Sequence, residues 1–451
     1  MYSLLLLILS YTATLNALNI DPSSRESIVE ASGIVGQKMF SFYKGDEPGH
    51  VPGLFEGSGS HWWQTGAMFG ALIDYRRYTN DTRYDASVTK GMLHQVGGNN
   101  NYLPANQTFV AGNDDIAFWA FAALGAAESK FPDPPAGQPQ WLALAQAVFN
   151  DMTTRWTNKC GGGIPWQTFS FNSGFQYKNS ISNGAFFNIA ARLARYTGDS
   201  HYAKWAEKIF DWMTTVGYIT EHYWVLDGAD ERQNCKMIDD RQWSYNSAVM
   251  LGGSAFMYAY TNGSDIWKQR VDGFIDAASY IFVENGVIDE YTCWLATVPC
   301  NDDQVTFKGY LARFMGYTAY LVPHTAPQIF SLLASTAVAA GKTCTNMCGF
   351  DWRNSTFDGR TSVQVQLANF EVIQSNLMKF MPPLGDGSND VFVTASSGGT
   401  SKGDPNAGAS SKSGIPSPEQ IRDNTTADKV GAGILSLLTV AAVLVLNIWI
   451  V

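Results

Sequence analysis

Asp114 and Asp115 are adjacent acids, and the twelve residues that follow, Ile116 to Ala127, carry no charge. Two carboxyls this close cannot both ionise cheaply, so one pKa rises. A helix N-terminus at the same place favours the other as an anion. A pair separated in this way supplies an acid together with a base or nucleophile, which is what glycoside cleavage requires. Retaining enzymes hold the two carboxyls ~5–5.5 Å apart and inverting ones ~6.5–9.5 Å, and neighbouring residues reach the shorter distance more easily. A lone aspartate here would ordinarily be an N-cap or a first-turn acid without further function. Two in succession ahead of a wholly apolar helix are fixed at the floor of the pocket that the helix faces.

Four other segments combine aromatic and polar residues in the same manner: His61-Trp62-Trp63-Gln64, Tyr177-Lys178-Asn179 with Asn183, Trp243-Ser244-Tyr245-Asn246, and Phe307-Lys308-Gly309. Trp62, Trp63, Trp166, Trp243 and Tyr245 offer π-faces to the C–H faces of sugar rings. Trp119, inside the apolar run, is read as core. Gln64, Asn113, Tyr177, Asn179, Asn183 and Asn246 are candidate hydrogen-bond partners for hydroxyls. Lys178 and Lys308 occupy equivalent places and are read as donors to hydroxyls or to a phosphate, against the ordinary reading of a solvated lysine. The six histidines are scattered, and no metal constellation, P-loop or dinucleotide fingerprint is found, so no cofactor is expected.

These segments need helices to place them. Residues 114–127, 184–193 and 247–258 are apolar nearly all round, the pattern of buried helices. Tyr202, Trp205, Ala206, Ile209, Phe210 and Met213 fall at helical spacing with Lys204, Glu207 and Lys208 facing away, the pattern of a surface helix. The phrase Tyr-Thr followed by two polar or small residues recurs at Tyr78, Tyr196 and Tyr260, and Phe131-Pro132 stands where a further copy falls due. The implied unit of about 60 residues fits six times between 25 and 382. Buried helix, turn and surface helix repeated six times predict an all-α fold, an (α/α)6 barrel or toroid of six helical hairpins. The inner helices then run the same way, and the five polar-aromatic segments meet on one face.

Charged residues are only 16% of the 451, and the net charge of −10 argues against nucleic acid as a partner. Low charge with many Trp, Tyr and Asn suits neutral polar ligands. Residues 1–17 read as a secretory signal peptide with an apolar run from Leu4 to Leu9. Residues 18–384 are the expected catalytic domain. Residues 385–424, rich in Gly and Ser, read as a flexible stalk. The uncharged apolar end, with 425–451 as the propeptide and Asn424 as attachment residue, reads as a glycosylphosphatidylinositol (GPI) signal. The expected location is therefore the secretory pathway and the cell surface, at the plasma membrane or wall. Sequons at Asn80, Asn106, Asn262 and Asn354 are candidate glycosylation sites. A sequon at Asn424 competes with its use for the anchor. Six cysteines in an oxidising compartment suggest disulfides, with 15 connectivities open. Proximity pairs Cys293 with Cys300 and Cys344 with Cys348, leaving Cys160 with Cys235. Zinc at the last pair is the rival, and no histidine clusters there.

Gly112-Asn113-Asp114-Asp115, Tyr177-Lys178-Asn179 through Asn183-Gly184, Trp243-Ser244-Tyr245-Asn246, and Phe307-Lys308-Gly309 with Arg313 together resemble glycoside hydrolase family 76, over about residues 20 to 380. Within it the chain is similar to the fungal GPI-anchored cell-wall α-1,6-mannanase-like proteins. The resemblance implies an (α/α)6 barrel and a retaining mechanism on α-1,6-linked mannose, with Asp114 as nucleophile and Asp115 as general acid/base. For the fungal branch it implies transfer: a mannose-containing glycan such as the GPI core is cut and joined to cell-wall β-glucan. The alternative is a wall-anchored mannose-binding protein without chemistry, which has no need of the aspartate pair.

Overall fold

The computed structural model describes residues 17–408 apart from 57–58, 296–298 and 386. The signal segment up to residue 16, Asn424 and the terminal apolar segment lie outside the described residues.

Six helices form the inner ring: α2 (Trp62–Thr79), α4 (Asn113–Glu128), α6 (Ser180–Thr197), α8 (Ser244–Tyr260), α11 (Phe307–Leu321) and α13 (Val363–Ser375). Each packs on the next, and α13 returns to α2. Outside lie α3 (Asp85–His94), α5 (Trp141–Thr154), α7 (Ser200–Thr215), α9 (Asp265–Phe282) and α12 (Ala326–Lys342), each following its inner helix in the chain. The sixth outer helix is the first of the chain, α1 (Arg25–Phe40), which packs against α13. The two ends of the domain thus close the ring together. A one-turn helix, α10 (Thr292–Leu295), precedes α11. The fold is an (α/α)6 barrel, as the repeat predicts.

The inner helices are buried nearly all round because their sequences are apolar all round; α4 exposes none of Ile116 to Glu128. Gly252 and Gly309 permit close approach. A Cβ on Gly252 would lie 2.3 Å from the Phe314 ring, and one on Gly309 2.7 Å from the Ala368 backbone. On α7, Tyr202, Ala206, Ile209, Phe210 and Met213 are buried while Lys204, Glu207 and Lys208 are exposed. The Tyr-Thr phrase marks the C-terminal ends of inner helices. Thr79 and Thr197 each donate to the carbonyl four residues back, at Tyr75 and Leu193. Each also accepts from the amide two residues on, which turns the chain out of the helix.

On the face where the inner helices begin, three short antiparallel strands form one sheet: β1 (Tyr177–Asn179), β2 (Leu226–Asp230) and β3 (Ile238–Gln242). An all-α reading does not foresee this sheet. The three disulfides are Cys160–Cys235, Cys293–Cys300 and Cys344–Cys348, the pairing that proximity in sequence predicts. Cys160–Cys235 ties the loop after α5 to the β2–β3 connection, and Cys293–Cys300 staples the loop that leads into α11. Asn80, Asn106, Asn262 and Asn354 are all exposed.

The stalk predicted from residue 385 needs correction. Val391, Phe392 and Val393 are buried, with the Phe392 ring against Phe256, Tyr317 and Tyr320. The Val393 amide donates to the Glu128 carbonyl and the Ala395 amide to that of Tyr196, at the ends of two inner helices. Beyond them, Ser401 accepts from the Leu142 amide, and Asn150 donates to the Pro405 and Ala407 carbonyls. Three consecutive apolar side chains fill the end of the barrel, and the residues to about 408 dock along α5 instead of hanging free.

Candidate active site

The start of α4 is built by the loop 162–176. The Asn113 amide donates to the Trp166 carbonyl at 2.7 Å, which fixes where the helix begins. Gly112 is the N-cap, and its amide donates to Asp115 Oδ2 at 2.7 Å, so Asp115 closes the first turn. Trp166 Nε1 donates to Asp114 Oδ2 at 3.0 Å, while Asp114 Oδ1 is buried without a hydrogen-bond partner. A Cβ on residue 112 would stand 2.2 Å from that oxygen, so glycine is needed there to leave room for the carboxylate.

Both carboxyls open into a cavity of about 420 Å³. Trp63, Phe118, Trp166, Trp243, Tyr245 and Phe307 form its aromatic walls. The Tyr245 ring lies flat on Phe307, with centroids 3.6 Å apart and planes 10° from parallel. Tyr177 and Asn179 reach the cavity from β1 and Asn179 also caps α6. Burial pushes the Asp114 carboxyl up to about 7, against the pull of the helix N-terminal amides and the Trp166 donor. Burial and then the negative charge of Asp114 hold Asp115 well above the usual carboxylate range. The arrangement is one that keeps a proton on one carboxyl beside another poised to lose its own near neutral pH.

Three further acids line the same cavity and are not picked out by the sequence reading: Asp227, Asp239 and Asp303. Asp303 accepts from Trp63 Nε1 and Gln64 Nε2, both at 3.0 Å, and His61 Nε2 lies 3.6 Å away. Burial raises its pKa. Asp227 accepts from the Tyr177 hydroxyl at 2.7 Å and is likewise raised by burial. Asp239 is paired with Arg241, the cation on the cavity wall. The density of acids from Asp227 to Asp240 and the pair Asp302-Asp303 are the signals that would have found them.

Several predicted contacts do not face the cavity. Trp62 is buried, stacked on Trp119 at 5.2 Å, and donates to Gln95 Oε1. Gln64 acts one step behind, through Asp303. Asn113 is fully buried between the Pro165 carbonyl and Arg155, and Asn183 holds both the amide and carbonyl of Ile164. Asn246 is fully buried and not part of the lining.

The lysine reading is corrected outright. Lys178 is completely buried, and its ammonium donates to Thr157 Oγ1 and to the carbonyls of Lys159, Gly162 and Gly163. Burial brings its pKa down to about 8. Lys308 is also fully buried, donating to the Phe350 carbonyl 2.6 Å away, with Asp289 at 3.6 Å and the Trp352 ring at 4.0 Å. Both lysines are spent on the protein's own loops. Arg313 is a core residue, paired with Asp74 at 2.7 Å.

Residues 27–386 match the model of glycosyl hydrolase family 76. The chain is 40% identical over 455 residues to a Saccharomyces cerevisiae protein named mannan endo-1,6-alpha-mannosidase DCW1, covering 99% of this chain and 98% of that one. It is 42% identical over 400 residues to a putative mannan endo-1,6-alpha-mannosidase of Schizosaccharomyces pombe, covering 87% and 88%. The crystal structure of Dfg5 from Chaetomium thermophilum in complex with glucosamine superposes with a TM-score of 0.82 at 39% identity, over 87% of this chain and 98% of that one. An inactive variant of an α-1,6-mannanase from Salegentibacter sp., with α-1,6-mannotriose bound, shares the fold at a TM-score of 0.63 and 19% identity, over 78% and 99%. The chain is a glycoside hydrolase and belongs to glycosyl hydrolase family 76.

Proposed function

We propose that the chain acts with retention on α-1,6-linked mannose, Asp114 being the nucleophile and Asp115 the general acid/base. The observation that carries this reading is the pair of adjacent carboxyls at the head of α4, both opening into an aromatic-walled cavity and both pushed upward in pKa. Asp115 protonates the leaving oxygen as the Asp114 carboxylate attacks the anomeric carbon, giving a mannosyl ester. Asp115, now an anion, takes a proton from the incoming hydroxyl as that oxygen displaces Asp114. The names of the yeast relatives support mannose as the sugar. The Salegentibacter mannanase offers a further support, since its inactive variant carries asparagine at two adjacent aspartates.

The same reading takes a sugar hydroxyl over water at the second step, with the GPI core as donor and wall β-glucan as acceptor. Support comes from the aromatic walls, which can hold an acceptor ring in line and raise its effective concentration. The GPI-type C-terminus would keep the enzyme at the cell surface, where such donors and acceptors meet. The test incubates purified residues 18–408 with a GPI-core mannoside and a labelled glucan oligosaccharide. A joined, labelled product is expected; free reducing mannose with no label transferred would leave only the hydrolase.

A further inference from the structure

Beside the cavity lies an apolar patch that the mechanism above does not use. Phe109 is 77% exposed, Val110 63% and Phe171 58%. The Phe109 and Phe171 rings are 5.5 Å apart, and Phe169 backs Phe171 in a parallel stack at 5.3 Å. The patch is not a loose loop tip. Its two loops are zipped together: the Thr168 amide and hydroxyl both bond the Ala111 carbonyl, and Asn172 Nδ2 donates to the Thr108 carbonyl at 3.1 Å. Both loops end on the catalytic residues. One runs through Gly112 into Asp114, and the other carries Trp166, the cavity-wall residue that donates to Asp114. Contiguous exposed apolar surface held in place by its loops' own hydrogen bonds is the kind that binding uses.

We propose that Phe109, Val110 and Phe171 form an outer sugar-binding lip that holds the α-1,6-mannoside chain where it leaves the catalytic cavity past Trp166. This rests on the reading of the cavity as an α-mannoside site. Two observations choose the occupant. The two loops that carry the lip also carry Asp114 and Trp166 of the cavity, Val110 four residues before Asp114 and Phe171 five after Trp166, so a chain cut between its sugars has this rim within reach as it emerges. The loops 102–112 and 165–176 contain no charged residue, and their exposed or half-buried polar members are amides and hydroxyls, among them Asn106, Gln107, Thr108, Ser170 and Ser173. Phenyl faces for C–H surfaces, with neutral polar groups alongside, suit a sugar chain. A lipid surface would call for basic side chains around the apolar ones.

The test compares Phe109→Ala/Phe171→Ala with the parent in an Asp115→Asn background, so that no cleavage intervenes. Affinities for α-1,6-mannobiose through α-1,6-mannohexaose are read by calorimetry. The loss should grow with chain length, from less than twofold on the disaccharide to about tenfold on the hexasaccharide. Equal affinities of the two proteins at every length would overturn the lip. So would a length-dependent loss confined to β-glucan oligosaccharides, or loss of vesicle binding or of self-association in place of it. The measurement is repeated after N-glycan removal, because the Asn106 sequon lies three residues from Phe109. If the length effect appears only then, the chain's own glycan is the occupant and the proposal fails. Failure of the catalytic reading shows separately, as absence of turnover of any mannoside by the protein with both aspartates.

Discussion

Asp74 and Glu371 lie near the C-terminal ends of inner helices, faced by Arg313 and Arg77, whereas Asp114, Asp115 and Asp303 lie at the opposite face with aromatic rings around them. In the first region cations meet the carboxylates directly: Arg313 binds Asp74 at 2.7 Å and approaches Glu371 at 3.5 Å, and nearby Arg192 grips both oxygens of Glu128. In the second region the partners of Asp114 and Asp115 are an indole and a backbone amide, and Arg241 is engaged by Asp239. Desolvation is common to both, and the difference is whether a cation compensates it. Where one does, the charges join helices into a ring. Burial raises Glu371 to about 7 even beside Arg313, so a raised pKa alone does not set the second region apart; its carboxyls open into a cavity where those of the first are sealed among helices.

Removing an acid should therefore have opposite consequences from removing a cation. Asp114→Asn and Asp115→Asn should each lower turnover by about 10³-fold or more, measured on an α-1,6-manno-oligosaccharide. Neither should destabilise the fold. The folded-state pKa of both carboxyls is raised above its unfolded value, so the folded protein holds more protons across the window between the two. Their contribution to stability is fully present below about pH 4 and is lost as pH rises through the folded values, near 7 for Asp114. The wild-type melting temperature should fall from pH 5 to pH 8, and the Asp115→Asn protein should show less of that fall. In the other region, Arg313→Met leaves Asp74 and Glu371 facing each other and should cost about 3–5 kcal/mol in denaturant titration.

Lys178→Met sharpens the same contrast at a smaller scale. It strips four acceptors in residues 157–163 of their shared donor, and about 1–3 kcal/mol of stability should go, with KM for the mannoside unchanged. A lysine that bound substrate would show the reverse. The smallest effect expected is that of Trp166→Phe. Losing the indole donor removes a hydrogen bond that favours the Asp114 carboxylate, so its pKa should rise further. The nucleophile must be ionised, and the acidic limb of the kcat/KM profile should move to higher pH.

The repeat was legible because helix periodicity and the Tyr-Thr ends are local signals. The place of the aspartate pair was legible because adjacent acids ahead of an uncharged stretch mark a helix start. What escaped was direction. Trp62 and Trp63 are neighbours on α2, about 100° apart around the helix, so one faces Trp119 in the core and the other the cavity. Lys178 and Lys308 were placed correctly at element starts, but a long side chain can turn inward if carbonyls await it, and those carbonyls come from loops distant in sequence or bent back on themselves. Asp227, Asp239 and Asp303 reach the cavity from a hairpin and a disulfide-stapled loop, with no helical period to place them. The Val391-Phe392-Val393 plug was a short apolar signal within a Gly/Ser-rich stretch, outweighed there by composition.

If Asp114 and Asp115 work as a retaining pair on an α-mannoside, the anomeric proton reports it directly. Purified residues 18–408 are mixed with α-1,6-mannohexaose in deuterated buffer and followed by proton NMR from the first minutes, before mutarotation mixes the anomers. With retention, new α-anomeric signals appear first and the β-anomer grows in later at the mutarotation rate. A β-anomer formed first would mean inversion, and Asp114 could not be the nucleophile.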